Sequence, residues 1–422
     1  MTGTTDRAQK KIVRDGYLWN SASGMVNAVQ SVIILISITR FAGIEEAGVF
    51  SIAYAIGVLL QMFATYGVGN FQITDVKEKY SFSDYFWNRS IAVLVSLALL
   101  SAYCALKTAC GDYSAEKTLI VLLIGAWKLV DSTENVFYAM FQQKGRLDIG
   151  AKCYTIRMTA SMILYCALLA TGVSFAASTA ITLAFSVVLA FILVKNKLPL
   201  FNVRILSPCG RSLRGLFKAC LPLCVGTTLA NYVGNAPKYV IDQYMDDTAQ
   251  AYFGYIMMPA FVILVLSNFI YQPVIRDFGV LWAEGRTREF SLKCVRMCAA
   301  IAGITAIVLL GGYFLGIPVL SLIYGVELDD YTAEFMVLLL GGGVYALASF
   351  MMIMLTTVRS GSIIAASFAA GTLCALLSGK LLVEMSGMMG AAYLYLITNS
   401  VIFLLFTGWL IHKIRRGNMR RR

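Results

Sequence analysis

The chain has 422 residues, of which 59% are hydrophobic and 14% charged, with a mean hydropathy of +0.73. Soluble domains carry about 25% charged residues, so a soluble globular protein is excluded. The net charge of +12 is spread over many loops rather than gathered with aromatics into a patch, which argues against a nucleic-acid partner.

Apolar runs near 20 residues, rather than alternating segments of about 10, predict an all-α integral membrane protein. Twelve spans are expected, near 17–40, 46–72, 86–107, 117–141, 151–172, 175–194, 215–240, 249–273, 293–315, 332–357, 361–383 and 388–411. The basic N-terminus precedes a run with no small-residue cleavage site, so this run is expected to stay as a span. Lysines and arginines crowd alternate connections, while the opposite side holds Arg40, Lys107, Lys117, Lys238 and Lys380. This bias places both termini in the cytoplasm. The basic connection 195–214 divides the spans equally. The expected domains are therefore a six-helix lobe at 1–194, a linker at 195–214, a second lobe at 215–413 and a basic tail at 414–422. Residues 45–54 and 246–255 share a faint pattern of two acids, small residues and an aromatic. With the equal span counts, it predicts a parallel repeat enclosing a cavity.

The first span carries Asn20, Asn27, Gln30 and Ser31, flanked by Arg14 and Arg40. The fourth is the anomaly. Lys128, Asp131 and Glu134 lie within an apolar run, on one arc of about 120° with Asn135, Tyr138 and Gln142. Each such charge costs about 2.5–3.5 kcal/mol at membrane depth. They must face a watery cavity or one another. Arg157 lies in the fifth span, and the two readings are a cavity role for these charges or a structural ion pair, Lys128 with Asp131 or Arg157 with Glu134. In the seventh span Asn231, Asn235, Lys238 and Asp242 share a face, and Pro222 and Pro237 predict a bend or break near each end. Residues 276–296 mix aromatic and basic residues as an amphipathic helix on the inner leaflet would.

The ten cysteines form no CxxC pair, and His412 is the single histidine. No HExxH, GxSxG or phosphate-binding loop is present, so no cofactor, metal or catalysis is expected.

Two stretches carry a family resemblance. Arg40-Phe-Ala-Gly43-Ile-Glu-Glu-Ala-Gly48-Val-Phe50 resembles the turn between the first two helices of the polysaccharide flippases, which translocate O-antigen and capsule repeat units. These flippases belong to the multidrug/oligosaccharidyl-lipid/polysaccharide (MOP) exporter superfamily. Ile323-Tyr324-Gly325 with Tyr331 resembles that family's outer step before its tenth helix. The resemblance implies two six-helix lobes as in the multidrug and toxin extrusion (MATE) exporters. It implies an alternating-access cavity and no enzymatic activity. The implied substrate is an undecaprenyl-diphosphate-linked oligosaccharide, moved to the outer leaflet of the cytoplasmic membrane. A polysaccharide polymerase or glycosyltransferases would be its protein partners. Arg14, Arg40, Lys128, Arg157 and Lys238 are then candidates for the diphosphate. Asn27, Gln30, Asn231, Asn235 and Tyr138 are candidates for the sugars, and Asp131 and Glu134 for ion coupling. A drug exporter of the same fold is the alternative reading, and a membrane glycosyltransferase or polymerase a more distant one.

Overall fold

A computed structural model describes residues 2–75, 78–201, 203, 205–206 and 210–419. Parts of the predicted linker (202, 204 and 207–209) and of the predicted basic tail (420–422) lie outside the described residues. Every regular element described is helical. Backbone polar groups have no water partners in hydrocarbon, so helices satisfy them internally.

Among the described residues, 10 helical segments are long and apolar enough to cross a membrane. Two features bring this to the twelve expected. Helix α5 (Ala115–Gln143) is long enough but carries three charges at its middle. Helix α14 (Gly361–Met419) is two spans merged across a break at Gly387, whose φ of 54° is left-handed and favours glycine. The chain is a multi-pass membrane protein. Large apolar side chains such as Leu94, Phe191, Ile307 and Leu310 remain exposed, as a lipid-facing surface requires.

Two compact units form, 1–228 and 229–422. In the first, the order is α1 (Thr2–Phe41), α2 (Ile44–Thr65), α3 (Val68–Thr74), α4 (Phe82–Ala109), α5, α6 (Leu147–Ala170) and α7 (Phe175–Lys197). Ser114 caps α5 through the Lys117 amide at 3.1 Å. Ser81 and Asp84 form a reciprocal capping box at the start of α4. Helix α5 is the hub, packing on α2, α3, α4, α6 and α7. Gly57 of α2 permits the close approach, since a Cβ there would lie 2.9 Å from the Lys128 Cγ. Helix α8 (Gly210–Tyr244) runs through Pro222 and Pro237 without a break.

The second unit contains α9 (Asp247–Tyr271), α10 (Ile275–Ala283), α11 (Thr287–Gly311), α12 (Ile317–Tyr324), α13 (Thr332–Thr357) and α14. The amphipathic helix expected at 276–296 is instead α10, a turn at Gly285 and the start of α11. Phe278 and Phe290 are buried against each other, and Phe278 also meets Phe350 of α13. Phe278 and Phe290 are thus used inside the protein, while Leu292 stays exposed. Tyr324 stacks on Tyr255 with ring centroids 4.2 Å apart, and Tyr331 lies against Tyr252 at 5.2 Å.

Helix α13 is the hub of this unit, and three consecutive glycines make it so. A Cβ on Gly341 would lie 2.6 Å from the Tyr395 ring, one on Gly342 2.6 Å from the Ala260 carbonyl oxygen, and one on Gly343 2.3 Å from Thr305. These neighbours belong to α14, α9 and α11. Gly342→Ala meets backbone, which cannot swing aside. It is expected to cost about 1–3 kcal/mol as overpacking. Thermal unfolding in detergent should show a clear drop in midpoint for Gly342→Ala and none for Gly234→Ala, where a Cβ meets nothing within 4 Å.

Candidate functional site

The polar groups of the first unit converge on α5. Asp131 sits between two cations, with Lys128 Nζ 2.6 Å from Oδ2 and Arg157 Nη2 2.5 Å from Oδ1. Arg157 also pairs through Nε with Glu134, and its Nη1 donates to Ser186 Oγ at 2.7 Å. The Tyr138 hydroxyl donates to the other Glu134 oxygen. All four ionised groups are buried, Arg157 completely. Two cations and two acids balance. Of the two readings left open by the sequence, the described geometry is the paired one, with Asp131 shared between Lys128 and Arg157. Aromatic faces complete the enclosure: Lys128 lies 5.1 Å from the Tyr54 ring centroid, and Arg157 lies 5.7 Å from that of Tyr154.

Beside this network is a cavity of about 330 Å³, lined from α1, α2, α3, α5, α6 and α8. Its polar lining is uncharged. Asn20, Thr65, Asn70, Asn135, Tyr138, Gln142 and Tyr154 face it. Tyr138 and Tyr154 are thus walls of the cavity and also contacts of the ion network. Tyr154 donates to Asn27 Oδ1 at 2.8 Å, which orients both.

A third buried cation of the first unit is Arg89, at the start of the expected third span, where a basic residue ordinarily marks topology. It is 1% exposed. Nη1 donates to the Ala64 carbonyl and the Ser132 hydroxyl, each at 3.1 Å, and Nη2 to Asn135 Oδ1 at 3.0 Å. Among the described residues no carboxylate pairs with it, and its Nε makes no hydrogen bond. Because Arg89 occupies the Asn135 carbonyl oxygen, the amide nitrogen is the atom left for the cavity. One signal was available. Tyr85, Arg89, Ala92 and Ser96 share a helical stripe, and all four are buried.

The remaining predicted residues are dispersed. Arg14 is exposed and pairs with Asp15 at 3.3 Å. Gln30 is buried with Oε1 unbonded. Arg40 is exposed at the end of α1. In the second unit, Asn235 Nδ2 donates to the Asn231 carbonyl at 3.2 Å. Lys238 is 6% exposed and makes no ion pair among the described residues. No group of three or more metal-binding side chains occurs among them either.

Outside the membrane spans, Asp75 ties down the connection beside the cavity. Burial raises its carboxyl, but the Lys79 and Tyr80 amides and the Tyr85 hydroxyl outweigh this and hold it below the usual carboxylate range.

A sequence-family profile described as "Polysaccharide biosynthesis protein" matches residues 13–278. No curated protein matches the chain. Among solved structures, the chain is similar to the lipid II flippase MurJ in an inward closed conformation, with a TM-score of 0.75, 13% identity and coverage of 96% of this chain and 90% of that one. It is also similar to an inward-facing multidrug resistance MATE transporter of the MOP superfamily, with a TM-score of 0.72, 13% identity and coverage of 93% and 96%. A variant of the Vibrio cholerae MATE transporter VcmN gives 0.62, 12%, 99% and 98%.

Proposed function

The chain belongs to the polysaccharide biosynthesis protein family and has the fold of MOP-superfamily transporters, and from that premise we propose that it is a flippase for a lipid-diphosphate-linked oligosaccharide. It moves this substrate from the inner to the outer leaflet of the cytoplasmic membrane by alternating access, for cell-surface polysaccharide synthesis. Both termini are cytoplasmic in this reading.

The observation that carries the proposal is the uncharged polar cavity of the first unit. Sugars present hydroxyls and apolar ring faces. Asn20, Asn135, Gln142 and Thr65 offer donors and acceptors, and Tyr138 and Tyr154 offer rings. The buried ion network holds those two tyrosines in place. Lys128 and Arg157 are then the frame of the sugar site. The remaining predicted cations, Arg14 and Arg40 of the first unit and Lys238 of the second, are the candidates for the diphosphate. Within the network Glu134 is the exchangeable acid for ion coupling, because it holds one arginine while Asp131 holds two cations.

A drug exporter of the same fold is the alternative. Deleting the gene in its native cell and restoring it decides between them. The deletion should abolish surface polysaccharide and accumulate lipid-linked repeat units on the inner leaflet, with Tyr154→Ala restoring less than a tenth of the polymer. Unchanged polymer with increased drug sensitivity would sink the flippase reading.

A further inference from the structure

The opposite side of α5 has a different character. Asn135, Tyr138, Ala139 and Gln142 face the polar cavity, whereas Leu129, Val130, Thr133 and Phe137 line a separate groove of about 680 Å³. At 100° per residue the two sets are centred about 180° apart. The groove is walled by α4 and α7, with Val93 and Leu97 on one side and Leu183, Val187 and Ala190 on the other. Neighbouring Leu94, Val188 and Phe191 are exposed. It therefore opens on the lipid-facing surface.

Three observations specify an occupant. Its walls are apolar almost throughout, with Thr133, Glu134 and Lys195 as the exceptions. Along α7 it runs from Leu183 to Lys195, which is about 18 Å of helix rise. That is close to the depth of one leaflet, about half of a 30 Å hydrocarbon core. Finally, the cation of the lining stands at one end. Lys195 is exposed at the mouth, its ammonium 5.6 Å from the Phe191 ring centroid and in no ion pair among the described residues. Near this end Trp87 donates its indole N–H to the Leu206 carbonyl at 3.0 Å, a placement typical of the membrane interface. An apolar slot one leaflet deep with a cation at its mouth matches a phospholipid with an anionic headgroup.

We propose that this groove binds one acyl chain of an anionic membrane phospholipid, with its phosphate on Lys195. The chain lies over Glu134, which lines the groove and accepts from Tyr138 of the polar cavity. A bound chain adds apolar cover over Glu134, which is already buried and paired with Arg157.

The test uses the full chain in phosphatidylcholine vesicles containing phosphatidylglycerol with a photoreactive acyl chain, and adducts are mapped by peptide mass. Adducts should concentrate on the α4, α5 and α7 residues of the groove. Ala190→Trp, which fills the slot, should lower the yield at least fivefold. Lys195→Gln, at an exposed position that tolerates change, should lower labelling by phosphatidylglycerol at least threefold and leave labelling by a matching phosphatidylcholine probe unchanged. Even labelling of all lipid-facing helices, or equal yields from Ala190→Trp, would overturn the proposal. Displacement by polyprenyl phosphate but not by unlabelled phosphatidylglycerol would overturn it too, in favour of a substrate-tail site. The readout needs no transport, so it stands or falls separately from the flippase reading.

Discussion

Asp131→Ala is expected to destabilise the protein by about 3–5 kcal/mol, the usual cost of removing one partner from a buried ion pair. The change strands Lys128, whose buried ammonium has no other acid within the described network. Arg157 keeps Glu134 and Ser186. The paired variant Lys128→Met/Asp131→Leu removes both charges and leaves apolar side chains of similar bulk. It should recover most of the loss, since replacing a buried pair outright is often neutral. Thermal unfolding of the four members of this cycle in detergent measures the coupling. A neutral Asp131→Ala would end the ion-pair reading. The cycle also separates frame from ligand. If the double variant unfolds as wild type and still supports polymer, Lys128 only holds the site together. If it is stable yet makes none, Lys128 meets the substrate. A single Lys128→Ala or Arg157→Ala cannot decide this, because either leaves a buried carboxylate short of a partner.

The membrane-spanning helices were legible because hydropathy over 20 residues is a strong local signal. Even the exception was legible, since Lys128, Asp131 and Glu134 on one arc demanded partners. The sequence offered the pairs Lys128–Asp131 and Arg157–Glu134, and both form; the sharing of Asp131 with Arg157 was not legible. The pairing depends on α6 bringing Arg157 and α7 bringing Ser186 to one side of α5, which is set by helix packing rather than by any local pattern. The aromatic face of 276–296 read as leaflet-bound for the same reason: Phe278 and Phe290 look alike whether the partner is lipid or Phe350. Arg89 was missed because an arginine two residues from Trp87 at a span's start ordinarily signals topology. Its burial follows from the end of α2. There Tyr66 adopts the left-handed conformation and the chain turns through Gly67 into α3, leaving the Ala64 carbonyl free to accept from the guanidinium.

That position makes Arg89→Ala the other large expected effect. Three acceptors lose a charged donor at once, and hydrogen bonds to charged groups contribute about 1.5–3 kcal/mol each. A loss of at least about 3 kcal/mol is expected, appearing as a lowered unfolding midpoint. Arg89→Lys should rescue little. One ammonium on a flexible stem cannot reproduce the planar fork that spans Ala64 on α2 and Ser132 and Asn135 on α5. Asn135→Ala isolates the cavity side of the same contact. It keeps the Arg89 bonds to Ala64 and Ser132 and loses one charged hydrogen bond, so it should cost about 1.5–3 kcal/mol. It nonetheless removes an amide that the guanidinium fixes toward the cavity, and surface polymer should fall well beyond what that stability loss explains. The contrast is the test: Arg89→Lys equal to wild type in both unfolding and polymer would show that charge alone suffices, and the positioning role would be wrong.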